Sequence, residues 1–198
     1  MIQCPNYSCQ ASNAEANQFC HQCQAPLPRR FLWAVGHRAG DFSAGMLISD
    51  RYLCKAPQIF LDTKPGLPPG TLSDIPSPVL PYLRLTPHRL YLPQVYGWAD
   101  GTLESGDVVR LMFLENPAIQ MTPPDSTDLP EDTQESPQPL PPLHVTWPSA
   151  SAFQQLHWLW QITQLWQPLS NEHIASTLLS DHLIRVEGSL IRLLQLHS

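Results

Sequence analysis

Four cysteines near the amino terminus have the residue type and spacing best suited to chemistry. Cys4 and Cys9 stand in CPNYSC, Cys20 and Cys23 in CHQC, with ten residues between the pairs. Two close pairs joined by a short loop suit a tetrahedral zinc site, because each pair can wrap a tight turn round one side of the metal. Four thiolates close the coordination sphere and leave no position for water or substrate. Zn2+ held this way would fold the segment rather than run hydrolysis. A segment so short buries too little apolar surface to fold alone, and the metal supplies the missing stability. Pro5, Asn6, Asn13 and Asn17 suit the turns, and Phe19 and Leu27 are candidates to cover the site. The same spacing also admits two disulfides in a secreted domain. No signal-peptide pattern opens the sequence and cysteine is scarce elsewhere, which weighs against that reading. His21 is read as a solvent-facing neighbour of a complete four-sulfur set.

Other reactive residue types are isolated. Cys54, within an apolar run, reads as a small packed side chain. His173 and His182 have no acid or cysteine at metal spacing, so both read as surface or hydrogen-bonded residues. A catalytic site would have to draw on His88, Tyr91, Glu104 or His173, and no nucleophile and base stand at readable spacing among them. Arg29 and Arg30 can balance the negative charge of a zinc held by four thiolates. A basic pair is too small for a nucleic-acid footprint.

The elements that must position these residues follow from composition and pattern. The chain has 198 residues, 42% of them apolar, which is globular; only 14% are charged and the net charge is -6. An acidic balance without clustered Lys and Arg speaks against nucleic-acid binding. The 22 prolines require much loop. No apolar run is long enough to cross a bilayer, and reduced cysteines with no targeting segment point to the cytoplasm.

The expected class is α+β: a small zinc ribbon over 1–28, a β-rich segment over 29–115, a Pro-rich acidic flexible insertion over 116–148, and helices plus a hairpin over 149–198. FLWAVG, after the ribbon, is an apolar patch for the ribbon to dock on. Strands are predicted over Leu47 to Leu53 and Gln58 to Leu61, with a break at Lys55 to Pro57. Lys64 to Ser77 reads as loop. A short helix up to Leu85, a turn, and a strand through Tyr91, Val95 and Tyr96 come next. ADGTLESGD reads as a turn, and Val108 to Glu115 as a buried strand. The insertion centres on Asp125, Asp128, Glu131, Asp132 and Glu135 and lacks apolar periodicity. Ser151 with Gln154 forms a capping box for a helix buried on most sides through Phe153, Leu156, Trp158, Leu159, Trp160, Ile162, Leu165 and Trp166, ended by Pro168. Ser170 caps a second helix that buries Ile174, Leu178 and Leu179. A hairpin turning at Glu187 and Gly188 finishes the chain.

Helix, helix and hairpin in that order also fit a winged-helix module, which with the zinc ribbon would make a nucleic-acid-binding protein. The element in the reading position, Ser170 to Leu179, is nearly devoid of base-reading or phosphate-holding side chains.

A second comparison covers most of residues 45 to 198. PHRLYLPQVYG followed by VVRLMFLEN resembles the protein-kinase segment running from the end of the regulatory helix through the fourth and fifth strands to the hinge. RYLCKAPQIFL sits where the first kinase strand would be. The long apolar helix and HLIRVEGSLIRLLQL are similar to the kinase helix before the catalytic loop and the strand pair after it. The catalytic letters are missing. No GxGxxG follows Tyr52, and neither Lys55 nor Lys64 lies in a VAIK-like strand. Thr177 and His182 fall where the catalytic aspartate and metal-holding asparagine would be, and Leu194 or Gln195 where the DFG aspartate would be. Together with the four-cysteine prefix, this pattern resembles the leader of cyanobacterial-type metal-dependent serine/threonine protein phosphatases. The resemblance implies a non-enzymatic module that regulates a downstream catalytic domain or binds a protein partner, with the phosphatase metal ligands lying outside this chain.

Overall fold

A computed structural model of the chain describes residues 1–71, 74–122 and 136–197. It divides into two compact units, Met1–Leu72 with Tyr96–Glu115, and Ser73–Val95 with Asn116–Ser198. This grouping differs from the expected one: residues 73–95 join the carboxy-terminal half rather than the β-rich segment, and 116–148 belongs to the same unit as the helices.

In the first unit, β1 (Ile2–Gln3) and β2 (Ser12–Asn13) pair antiparallel and tie the cysteine segment together. The apolar runs that follow form β3 (Phe31–Val35), β4 (Leu47–Ile48), β5 (Tyr52–Ala56), β6 (Ile59–Asp62), β7 (Gln94–Thr102) and β8 (Val108–Glu115). They make a six-stranded sheet in the order β4-β5-β6-β3-β8-β7. FLWAVG is therefore an inner strand and not merely a docking patch. The expected strand over 47–53 is split, because Ser49 and Asp50 adopt positive φ in a tight turn. The expected break at Lys55 to Pro57 moves to Pro57 and Gln58, since Lys55 and Ala56 complete β5. The first four residues of ADGTLESGD belong to β7, which runs on to Thr102, and the expected turn between strands is confined to 103–107. β8 matches its expected bounds.

Phe42, Tyr52, Cys54, Phe60, Leu111 and Phe113 lie in the core on this sheet. The Tyr52 and Phe113 rings stack at 4.2 Å, and Phe60 meets Phe113 edge-on at 5.4 Å. The loop from Lys64 passes along the outer strand β7. There Trp98 N donates to Gly70 O at 3.1 Å, and a Cβ on Gly97 would come within 2.9 Å of Gly70 O. Only glycine permits so close an approach of two backbones.

In the second unit, α1 (Leu80–Arg84) is the short helix expected before Leu85, but Tyr91 lies outside any strand. The flanks of the supposed insertion are regular: β9 (Ile119–Thr122) pairs with β10 (Ser136–Pro139), and α2 (Leu143–Thr146) follows. The acidic centre from Asp125 to Glu135 lies outside the described residues. α3 (Ala152–Asn171) opens with the expected capping box of Ser151 and Gln154. It does not stop at Pro168, which is accommodated in the last turn. Ser170 caps nothing; the second helix is a 3-10 turn over Ala175–Leu179, with Leu179 exposed. That removes the reading helix a winged-helix module needs.

β11 (Ile184–Glu187) and β12 (Leu190–Leu193) form the expected hairpin, turning at Gly188 with φ 60°. Trp158, Leu165 and Leu169 of α3 pack against Ile184, Val186, Ile191 and Leu193 of this hairpin. Gln161, fully buried, donates to Ser189 O at 2.8 Å and accepts from Ile191 N at 3.0 Å, locking helix to hairpin. Among the described residues, no helix is long and apolar enough to cross a membrane.

Candidate metal centre

The two cysteine pairs are built alike. In the first, Cys9 N and Gln10 N both donate to Asn6 O, and Gln10 takes φ 50°. In the second, Gln24 N donates to Cys20 O, and Gln24 takes φ 60°. Each pair therefore ends in one left-handed residue that folds the turn back and points both of its sulfurs inward. Cys4 N donates to Ala11 O and Cys20 N to Ala25 O, both at 2.8 Å, which closes each turn at its base.

The consequence is a single cluster. The Sγ atoms of Cys4, Cys9, Cys20 and Cys23 all lie within 4.8 Å of one another, with Cys4 to Cys23 at 3.5 Å and Cys9 to Cys20 at 3.8 Å. A tetrahedron of sulfurs about 2.3 Å from a central ion has edges of about 3.8 Å. The four residues thus lie close enough to hold a metal ion. All five cysteines are free thiols, so no disulfide uses the pairs. Leu27 is buried against Cys4 and Cys20, as expected of a cover, whereas Phe19 is 56% exposed and covers nothing.

Two asparagines brace the sulfurs. Asn13, almost wholly buried, donates from Nδ2 to Cys20 Sγ at 3.6 Å and to Ala11 O at 2.8 Å. Its Oδ1 accepts from His21 N at 2.9 Å and lies 2.8 Å from His21 Nδ1. That contact engages one ring nitrogen of the exposed His21 outside the sulfur set. Asn6 Nδ2 donates to Cys23 Sγ at 3.7 Å while its Oδ1 accepts from Ser8 N. The Asn13 amide favours the thiolate form of Cys20. At Cys20 burial works the other way, but the N–H groups of Cys23 and Gln22 and the Asn13 amide outweigh it and bring the thiol down to about 6. Cys4 is pushed up to about 12, chiefly by burial and against the Asn6 backbone, with the neighbouring sulfurs adding to the rise. Sulfurs this close repel one another once ionised, and a divalent cation at their centre would offset that repulsion.

The other sequence candidates do not gather. Cys54 is buried, its thiol raised by burial, and donates to Phe42 O. Glu104 accepts from Ser43 in the first unit. No side-chain hydrogen bond joins His88, Tyr91 and His173 in the second unit. Arg29 is exposed, and Arg30 donates to Tyr96 OH rather than facing the sulfurs.

A polar cluster that pattern reading missed lies in the same unit. Arg51 Nε and one terminal nitrogen donate to the two oxygens of Asp62, each at 2.8 Å. Tyr96 OH donates to Asp62 Oδ2 at 2.6 Å, and Lys64 N to Oδ1. Asp62 is fully buried. Burial alone would raise its carboxyl, but the Arg51 and Tyr96 hydrogen bonds hold it below the usual carboxylate range. The cluster secures the Pro-rich loop, because Arg51 also donates to Leu67 O and Pro68 O. Only an aspartate ending an apolar strand and an arginine opening its neighbour hinted at it.

No protein-family profile matches the chain, and no curated protein sequence is significantly similar to it.

Proposed function

We propose that this chain is a zinc-binding, non-catalytic regulatory or protein-interaction module. The convergence of four sulfurs from two similarly built turns carries the reading. Their spacing suits Zn2+, and a full set of four thiolates makes the ion structural, folding a ribbon over 1–28. Reduced thiols fit a cytoplasmic setting.

The resemblance to the leader of metal-dependent serine/threonine phosphatases supplies the context. The order α1, β7, β8, α3 and the β11–β12 hairpin supports it, being the order that a partial kinase-like body requires. Thr177, His182 and Leu194 or Gln195 fall where that resemblance places the catalytic aspartate, the metal-holding asparagine and the DFG aspartate, so the carboxylates and amide of that machinery are missing. The body would then act by binding a protein partner or by positioning a catalytic domain.

The purified chain is expected to carry about one zinc, with four cysteines shielded from thiol reagents until a chelator is added. Metal-free protein with four freely reacting thiols would sink the zinc reading. Separately, ATP with Mg2+ is expected to leave the melting temperature unchanged. A rise of several degrees together with phosphorylation of a test protein would sink the non-catalytic reading.

A further inference from the structure

The core-facing side of α3 is filled by Trp158, Gln161, Leu165 and Leu169, yet its other side was expected to be buried and is not. Phe153 is 79% exposed, Leu156 66%, Leu159 48%, Trp160 53% and Trp166 46%. At 100° per residue these five fall within one side of the helix. No Asp, Glu, Lys or Arg occurs anywhere in α3, and the polar residues interspersed on this side, Thr163 and Gln167 among them, are uncharged. The rings are already ordered in a row, with Phe153 stacked on His157 at 6.5 Å and His157 on Trp160 at 5.9 Å. Isolated apolar residues on a surface are ordinary, but a contiguous stripe of this kind marks an interaction site.

We propose that α3 pairs antiparallel with α3 of a second copy of this chain about a twofold axis beside residues 159 and 160. Three observations favour a second copy as occupant. The stripe is centred on the midpoint between Phe153 and Trp166, so antiparallel pairing overlaps it along its whole length. In that register Phe153 meets Trp166 of the other copy, Trp160 meets Leu159, and Leu156 meets Thr163. An uncharged helix brings no like-charge repulsion when it faces itself, whereas a basic or acidic partner would find no complement. Finally, the five side chains expose roughly 600 Å2 per copy, taking about 150–250 Å2 for a whole aromatic residue. That approaches the approximately 800 Å2 each partner gives to a specific interface. The two tryptophans and Phe153 are the residue types that dominate such interfaces, and their ordered rings lose little freedom on pairing.

Sedimentation equilibrium of the full chain across a concentration series tests this. The apparent mass should rise from monomer to dimer with concentration. Trp160→Glu, which sets two like charges beside the axis, should weaken association by at least about tenfold with an unchanged circular dichroism spectrum. Leu156→Lys should do the same, and adding Thr163→Glu to it should restore the dimer through two ion pairs between copies. A wild-type chain that stays monomeric at every concentration would overturn the proposal, and so would a dimer indifferent to both single substitutions. A monomer that co-sediments with phosphatidylcholine vesicles would assign the stripe to lipid instead. Both the wild-type and variant results are independent of metal content, so they stand apart from the zinc reading.

Discussion

At the scale of single residues, buried polar groups define this protein. Asn13 engages one sulfur, one carbonyl and both nitrogens of the His21 contact, so its truncation should loosen the metal without removing a ligand. On the proposed zinc reading, Asn13→Ala should lower zinc affinity by about 10–100-fold, the usual effect of losing a group that orients a metal ligand; competition with a chromophoric chelator reads it directly. Asp62 makes a different kind of prediction. Asp62→Ala leaves Arg51 buried without its carboxylate and should cost about 3–5 kcal/mol in denaturant unfolding. Because the folded Asp62 sits below its ordinary value, the unfolded chain binds more protons at acid pH. Its contribution is fully present above an unfolded value of about 4 and is lost as pH falls toward the folded value. Wild-type stability should therefore drop below about pH 4 more steeply than that of the alanine variant. The cysteine cluster was legible in the sequence because two close pairs across a short loop bring their sulfurs together locally. Asn13 and the Arg51–Asp62 pair were not, since their partners are set by how strands align, and polar letters in a strand carry no such spacing.

Among elements, legibility followed how local the cause was. The capping box at Ser151, the Gly188 turn and the strand Val108–Glu115 are each dictated within a few residues, and each appears as expected. The failures have nonlocal causes. Pro168 was expected to end α3, but in the last turn of a helix held by Leu165 and Leu169 its missing N–H is tolerated and the chain continues to Asn171. The 3.6-residue period located the helix, but a tryptophan-rich sequence does not say which of two apolar sides faces the core. Gln161 decides that question, since it must sit where the hairpin backbone needs a donor and an acceptor. Gln161→Leu keeps the size but orphans Ser189 O and Ile191 N, and should destabilise the second unit by about 1–3 kcal/mol, measured by urea unfolding.

For the molecule as a whole, composition correctly indicated an α+β chain with an N-terminal cysteine cluster, while the grouping into two units could not be read from it. Segments distant in sequence are joined by pairing, as β8 joins β3, and composition shifts do not report that. The grouping makes a prediction of its own: removing the metal should cost the first unit and spare the second. Under a chelator, amide exchange should accelerate over residues 2–27, while Ile191 and Leu193 in the hairpin retain their protection. The loop over β7 has a further effect on how the molecule behaves among its own kind. At one border the sheet ends in the two-residue β4, and at the other Gly70 already occupies the Trp98 amide. The short border strand and the occupied amide each shorten the row of open donors onto which a stray polypeptide could zip, which works against fibril growth in a crowded solution.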